Sequence, residues 1–171
     1  MTGRGMILAV DVSYREDRAV VAGVLFESWD DCEPSRIVTT ELSQVAAYVP
    51  GQFYKRELPC ILGLLERLEA LPDVILVDGY VYLGRARRPG LGKRLYDALG
   101  GRAAVIGVAK SRFKGTPAST EVFRAGSRRP LYVTAVGIGQ AEAKRRVQGM
   151  CGEYRMPEMV RLADRLSKEL E

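Results

Sequence analysis

Histidine is absent from all 171 residues of this chain. No imidazole is available to ligate a metal or shuttle a proton, so any metal site must use other donors. Cysteine is scarce, and Cys32, Cys60 and Cys151 are an odd number with no metal-like spacing. They fit a reducing, intracellular setting better than a disulfide framework, and a cytoplasmic protein is expected. No apolar run approaches the roughly 18 residues that a membrane span needs. The start, Met1 to Met6, lacks a long apolar core, so neither a membrane partner nor a signal peptide is expected. Internal repeats and low-complexity linkers are missing as well. A single domain over residues 1–171 follows, expected as a monomer and large enough to bury a core without staples.

What is present is moderately basic: 26 Lys and Arg against 21 Asp and Glu, a net charge of +5. That excess alone says little about partners, but its distribution says more. Arg85, Arg87, Arg88, Lys93 and Arg94 form one group, Lys110, Arg112 and Lys114 a second, and Arg124, Arg128 and Arg129 a third. Solvated loops would account for any one of them. Three groups downstream of strand-like runs favour a polyanion lying across one edge of a sheet.

Residues 6–14 are apolar nearly throughout and read as a strand buried on both faces. A polar turn at 15–18 and a second apolar run at 19–26 predict a hairpin, with a third strand over 35–42. The character then changes. Leu58-Pro59 places proline in the first turn of a helix that continues through Ile61, Leu64, Leu65 and Leu68 to about Leu71. Val74 to Val77 is a short strand, 91–99 a helix ended by Gly100-Gly101, 103–108 a strand and 131–136 another. Residues 111–130 read as loop with an edge hairpin, and helices follow over 141–150 and from Pro157. The fold class is α/β: a mixed sheet of antiparallel hairpins followed by β-α-β units, with flanking helices.

Ligands of such sheets collect at the carboxyl ends of strands. Asp11 and Asp78 lie at such ends, and they meet if the first strand neighbours the fourth. Glu57 sits near a helix start, and three acids without histidine suit a hard cation, Mg²⁺ or Mn²⁺. Two such ions about 3.5–4 Å apart can drive phosphoryl transfer. A turn would equally explain Asp78-Gly79, a helix-dipole partner Glu57, and a strand-end lysine Lys110. Asp11, between Val10 and Val12, is harder to explain without a partner or metal, because a buried carboxylate is costly. Tyr48, on a loop stiffened by Pro50 and Gly51, could wedge between bases or simply be partly buried.

Five segments occur in one order: Asp11-Val12-Ser13-Tyr14, Tyr48-Val49-Pro50-Gly51 followed by Arg56-Glu57, Val77-Asp78-Gly79, Ile106-Gly107-Val108-Ala109-Lys110, and Tyr154-Arg155-Met156-Pro157-Glu158. Together they resemble the endonuclease V family over nearly the whole chain. The resemblance implies a ribonuclease H-like fold and a Mg²⁺-dependent nuclease, with Mn²⁺ as a substitute, acting on inosine in DNA or RNA. It implies cleavage at the second phosphodiester bond on the 3′ side, leaving 3′-hydroxyl and 5′-phosphate ends. Asp11, Glu57 and Asp78 would hold the metal, and Lys110 would lie near the scissile phosphate. Tyr48, Val49, Pro50 and Gly51 would form the wedge beside a flipped base. Arg56, Gly79 and Arg88 would contact nucleic acid, with Arg85–Arg94 and Arg124–Arg129 tracking phosphates. The family usually carries histidines after the Asp-Gly pair and late in the chain. Here Tyr80 to Arg85 and Ile138 occupy those places, leaving Gln140 or Glu142 as substitutes. The competing expectation is a catalytically weak or inactive nucleic-acid-binding relative.

Overall fold

The computed structural model describes residues 5–43 and 53–169, so the wedge expected at 48–51 lies outside the described residues. The first strands are β1 (Ile7–Arg15), β2 (Arg18–Phe26) and β3 (Arg36–Ser43), each antiparallel to the next. Helix α1 (Phe53–Leu65) leads to β4 (Val74–Asp78), then a small ribbon of β5 (Tyr82–Leu83) and β6 (Arg88–Pro89). Helix α2 (Leu91–Ala98), β7 (Ala104–Ala109), β8 (Glu121–Val122) and β9 (Leu131–Val136) follow, and α3 (Gln140–Gln148) and α4 (Glu158–Glu169) come last. The main sheet has seven strands in the order β3-β2-β1-β4-β7-β9-β8. Its centre, β1-β4-β7, is parallel because α1 and α2 serve as the crossovers that parallel neighbours require.

Strand alternation divides the core into two faces. Leu8, Val10, Ile75 and Val77 pack with Ile61, Leu64 and Leu95 from α1 and α2. Ile7, Ala9, Leu76 and Ile106 pack with Ala143, Val147, Met159 and Ala163 from α3 and α4. Each fully buried aliphatic side chain contributes about 1.5–3 kcal/mol of transfer free energy. This helix coverage on both faces is why the central strands read as continuous apolar runs.

Several expectations change. Only Ile7 to Val10 of β1 are buried, while 11–15 are half-buried, because pairing with β4 stops at Val10–Val77. Helix α1 begins at Phe53, which puts Pro59 in its interior rather than its first turn. An interior proline costs about 3 kcal/mol, and burial of Cys60, Ile61 and Leu64 offsets it. The helix closes at Leu65 through tightened turns (Arg67 N–H to Leu64 O, 3.0 Å) instead of reaching Leu71. Cys32 and Cys151 form a disulfide, contrary to the expected free thiols, and only Cys60 among the three is unpaired. The fold brings the loop after β2 to the loop after α3 across 119 residues of sequence, a proximity no local spacing encodes. The bond removes the cysteine argument for a reducing compartment. No helix among the described residues is long and apolar enough to cross a membrane.

Candidate active site

Where β1 and β4 stop pairing, the next residue on each strand is an aspartate, Asp11 and Asp78. Both continue the alternation of Ile7, Ala9 and Leu76, so they belong to the face that α4 covers. Lys110 follows the end of the neighbouring strand β7. Helix α4 places Met159 and Ala163 in the core and brings Asp164, beside that apolar stripe, to the same spot. Asp11, Asp78, Lys110, Arg161, Asp164 and Arg165 line a cleft of about 260 Å³. Glu57 arrives from α1 on the opposite face and is 8% exposed.

Burial pushes the Asp11 carboxyl up to about 8, aided by a hydrogen bond shared with Asp164 and by the charges of Asp78 and Asp164. The Val12 N–H, donating to Asp11 Oδ1 at 3.0 Å, opposes this. Burial likewise pushes Glu57 up to about 8, with Asp11 and Asp78 adding to it and Arg56 opposing. Asp78 is raised by desolvation from the atoms packed around it although the residue reaches solvent, while Lys110 pulls it back. Asp164 moves the other way. Burial would raise it, but the hydrogen bonds from Asp11 and from Lys168, 2.9 Å away, together hold it low. Of the pair, Asp11 is the group held above the usual carboxylate range and Asp164 the one held below it.

Four carboxylates with no imidazole among them are a donor set suited to a hard divalent cation. Among the described residues, no three acidic side chains converge tightly enough to grip an ion as they stand. Glu57 comes from α1, whose apolar residues pack on the face opposite the one that α4 covers.

A second cavity of about 690 Å³ adjoins the cleft and shares Asp78 with it. Its walls include Tyr54, Gly79, Tyr80, Leu83, Arg88 and Phe113. Gly79 turns the chain at φ +132°, a region side chains disfavour. The Tyr80 hydroxyl donates to Ser111 O (2.6 Å) and accepts from Phe113 N–H (3.1 Å), which ties the 111–113 loop to that turn. Gly90 lets the backbone close the opposite wall, since a Cβ there would sit 2.6 Å from Tyr80 O. Arg94 stacks on Tyr54 at 4.4 Å beside this cavity. Arg56 lies over the Tyr14 ring at 3.7 Å, with its Nε and the Tyr14 hydroxyl buried and without hydrogen-bond partners among the described residues.

Three sequence expectations are displaced. Arg124 does not face a polyanion. It is 5% exposed and donates to the carbonyls of Gln148, Met150, Tyr154 and Arg155, whereas Arg128 and Arg129 are exposed. Gln140 donates to Val133 O, and Glu142 pairs with Arg146 along α3 at 3.6 Å, so neither joins the acids. Asp164 does. Its only sequence signal is a carboxylate at the margin of α4's apolar stripe, four residues before Lys168.

The sequence model of Endonuclease V matches residues 2–145. Endonuclease V of Thermococcus kodakarensis is 34% identical over 160 residues, spanning 94% of this chain and 76% of that protein. The crystal structure of Endonuclease V from Streptomyces avermitilis shares 29% identity at a TM-score of 0.76, over 97% of this chain and 81% of that one. Ciona intestinalis Endonuclease V, in complex with DNA containing an inosine followed by a ribo-adenosine, superposes at a TM-score of 0.79. It covers 96% of this chain and 85% of that one, and at 22% identity it speaks to the fold alone.

Proposed function

The chain belongs to the endonuclease V family of nucleases, with its ribonuclease H-like fold, and from that premise we propose a divalent-metal-dependent endonuclease that cuts inosine-containing DNA or RNA on the 3′ side of the deaminated base. One observation carries the reading: a cavity roomy enough for a flipped nucleoside lies beside an acidic cleft, and Asp78 lines both. A base extruded into the first would lay its 3′ phosphates across the second.

Asp11, Glu57, Asp78 and Asp164 would hold Mg²⁺, or Mn²⁺ in its place. A divalent cation bound there would supply Lewis-acid stabilisation of the phosphate and would lower the pKa of a water. Lys110, at the rim, sets a positive charge against the phosphate. Carboxylates bind a cation in their ionised form, so metal affinity would rise with pH. Gly79 and Arg88 line the base cavity and would contact the flipped nucleoside. Tyr48, Val49, Pro50 and Gly51 would fill the gap it leaves.

The absence of histidine from the chain favours a second reading, a nucleic-acid binder with little turnover. A labelled strand carrying one inosine, in DNA and RNA versions with Mg²⁺ or Mn²⁺, tests both, against the same strand carrying adenosine. Inosine-dependent cutting that Asp78→Asn lowers at least about a hundredfold supports the enzyme. Tight binding without a cut in either metal supports the binder.

A further inference from the structure

Among the described residues, the exposed large hydrophobics are Ile37, Phe123 and Tyr154. Tyr154 is the one tied to the acidic cleft. The guanidinium of Arg161, which lines that cleft, lies 4.0 Å above the Tyr154 ring, yet 57% of the tyrosine remains exposed. Resting on the nuclease reading above, we propose that Tyr154, backed by Arg161, is a stacking platform for an unpaired nucleobase just beyond the phosphodiester that the acids address.

The loop that presents this ring is held unusually firmly. Buried Arg124 donates to Tyr154 O at 2.8 Å and to Arg155 O at 3.0 Å. Arg155 in turn donates to Lys110 O (3.3 Å) and Pro130 O (3.2 Å), which anchors the loop to the strand end beside the cleft. Cys151 is bonded to Cys32, and its carbonyl accepts from Glu158 N–H at 2.9 Å. An exposed aromatic on a rigid loop gains nothing from burial in the free protein. It is preorganised for a flat ligand, because little side-chain entropy is lost when a base stacks on it. Arginine on one face, itself paired with Glu158 at 3.3 Å, leaves the other face for the base.

The direction follows from the two cavities. Asp78 belongs to both, whereas Arg161 lines the cleft and not the base cavity. A strand that fills the base cavity and crosses the acids therefore continues toward Tyr154. The nucleotide concerned is the second on the 3′ side of inosine.

The probe is an inosine-containing single strand with 2-aminopurine at that second position, titrated in chelator so that no cutting occurs. Wild type and Tyr154→Phe should quench the fluorophore. Tyr154→Ala should abolish the quench and weaken binding roughly 5-fold to 100-fold. On the same strand made abasic at that position, the alanine variant should lose less than about twofold. Equal losses on the intact and abasic strands, or no quench with wild type, would overturn the platform. Should the alanine variant not fold, the wild-type comparison of intact and abasic strands still decides, and equal affinities sink the idea. An adenosine-for-inosine strand and a cleavage assay separate the two readings. Tyr154-dependent stacking without inosine-dependent cutting removes the nuclease reading and keeps the platform. Inosine-dependent cutting with equal losses on both strands removes the platform alone.

Discussion

Replacing Arg124 by methionine keeps the apolar stem and deletes the guanidinium that organises the 148–155 loop. That group donates to Met150 O at 2.5 Å, Tyr154 O at 2.8 Å, Arg155 O at 3.0 Å and Gln148 O at 3.4 Å, with the residue 5% exposed. Hydrogen bonds from a charged donor are worth about 1.5–3 kcal/mol each, so a naive sum would be large. The sum does not survive, because the variant no longer desolvates a cation and the freed carbonyls regain water in part. A net loss of about 3–4 kcal/mol remains, at the upper end for a single substitution. In a domain of this size each kcal/mol lowers Tm by about 2–4 °C, which gives a drop of about 6–16 °C. Calorimetry and guanidinium unfolding measure it directly. Arg124→Lys, which keeps the charge without the planar fork, should fall between the two. Combined with Cys151→Ser, the losses should be less than additive, since both residues pin one loop. A loss under about 1 kcal/mol for Arg124→Met would refute the reasoning and assign the loop to helix packing and the disulfide alone.

Asp164→Asn should leave the protein folded and raise the Mg²⁺ concentration for half-maximal cleavage at least about tenfold, and an unchanged metal titration would remove Asp164 from the site. Without metal, stability should fall as pH rises from about 4 to about 8. The folded chain keeps protons on Asp11 and Glu57 up to about 8, whereas the unfolded chain releases them near the usual carboxylate values. The slope is up to about 1.4 kcal/mol per pH unit for each retained proton, and a flat urea-unfolding profile across that window contradicts the assignment. Reducing Cys32–Cys151, or replacing Cys32 by serine, should cost about 2–4 kcal/mol, and the serine variant's melting should ignore dithiothreitol.

What the sequence made legible was local or periodic. The strands announced themselves as apolar runs, the hairpin by its polar turn, and the parallel centre by alternating helix and strand patterns. Asp11 and Asp78 could be singled out because each ends an apolar run, and the β1–β4 pairing joins them. Asp164 was hidden because its place depends on which helix covers which face, a long-range outcome of packing. Arg124 read as a surface charge because composition reports charge and not burial. Pro59 read as a helix start because propensity alone disfavours the interior position that tertiary burial makes tolerable. The β5–β6 ribbon, two residues per strand, is too short to show any period.

The contact between Asp11 and Asp164 links the first strand to the last helix. During synthesis, a chain that has built β1, α1 and β4 already owns Asp11, Glu57 and Asp78, and it exposes the sheet face that α4 later covers. It lacks the fourth carboxylate and the Arg161 side of the cleft until α4 emerges and docks. Assembly of the acidic cleft is thus coupled to completion of the fold.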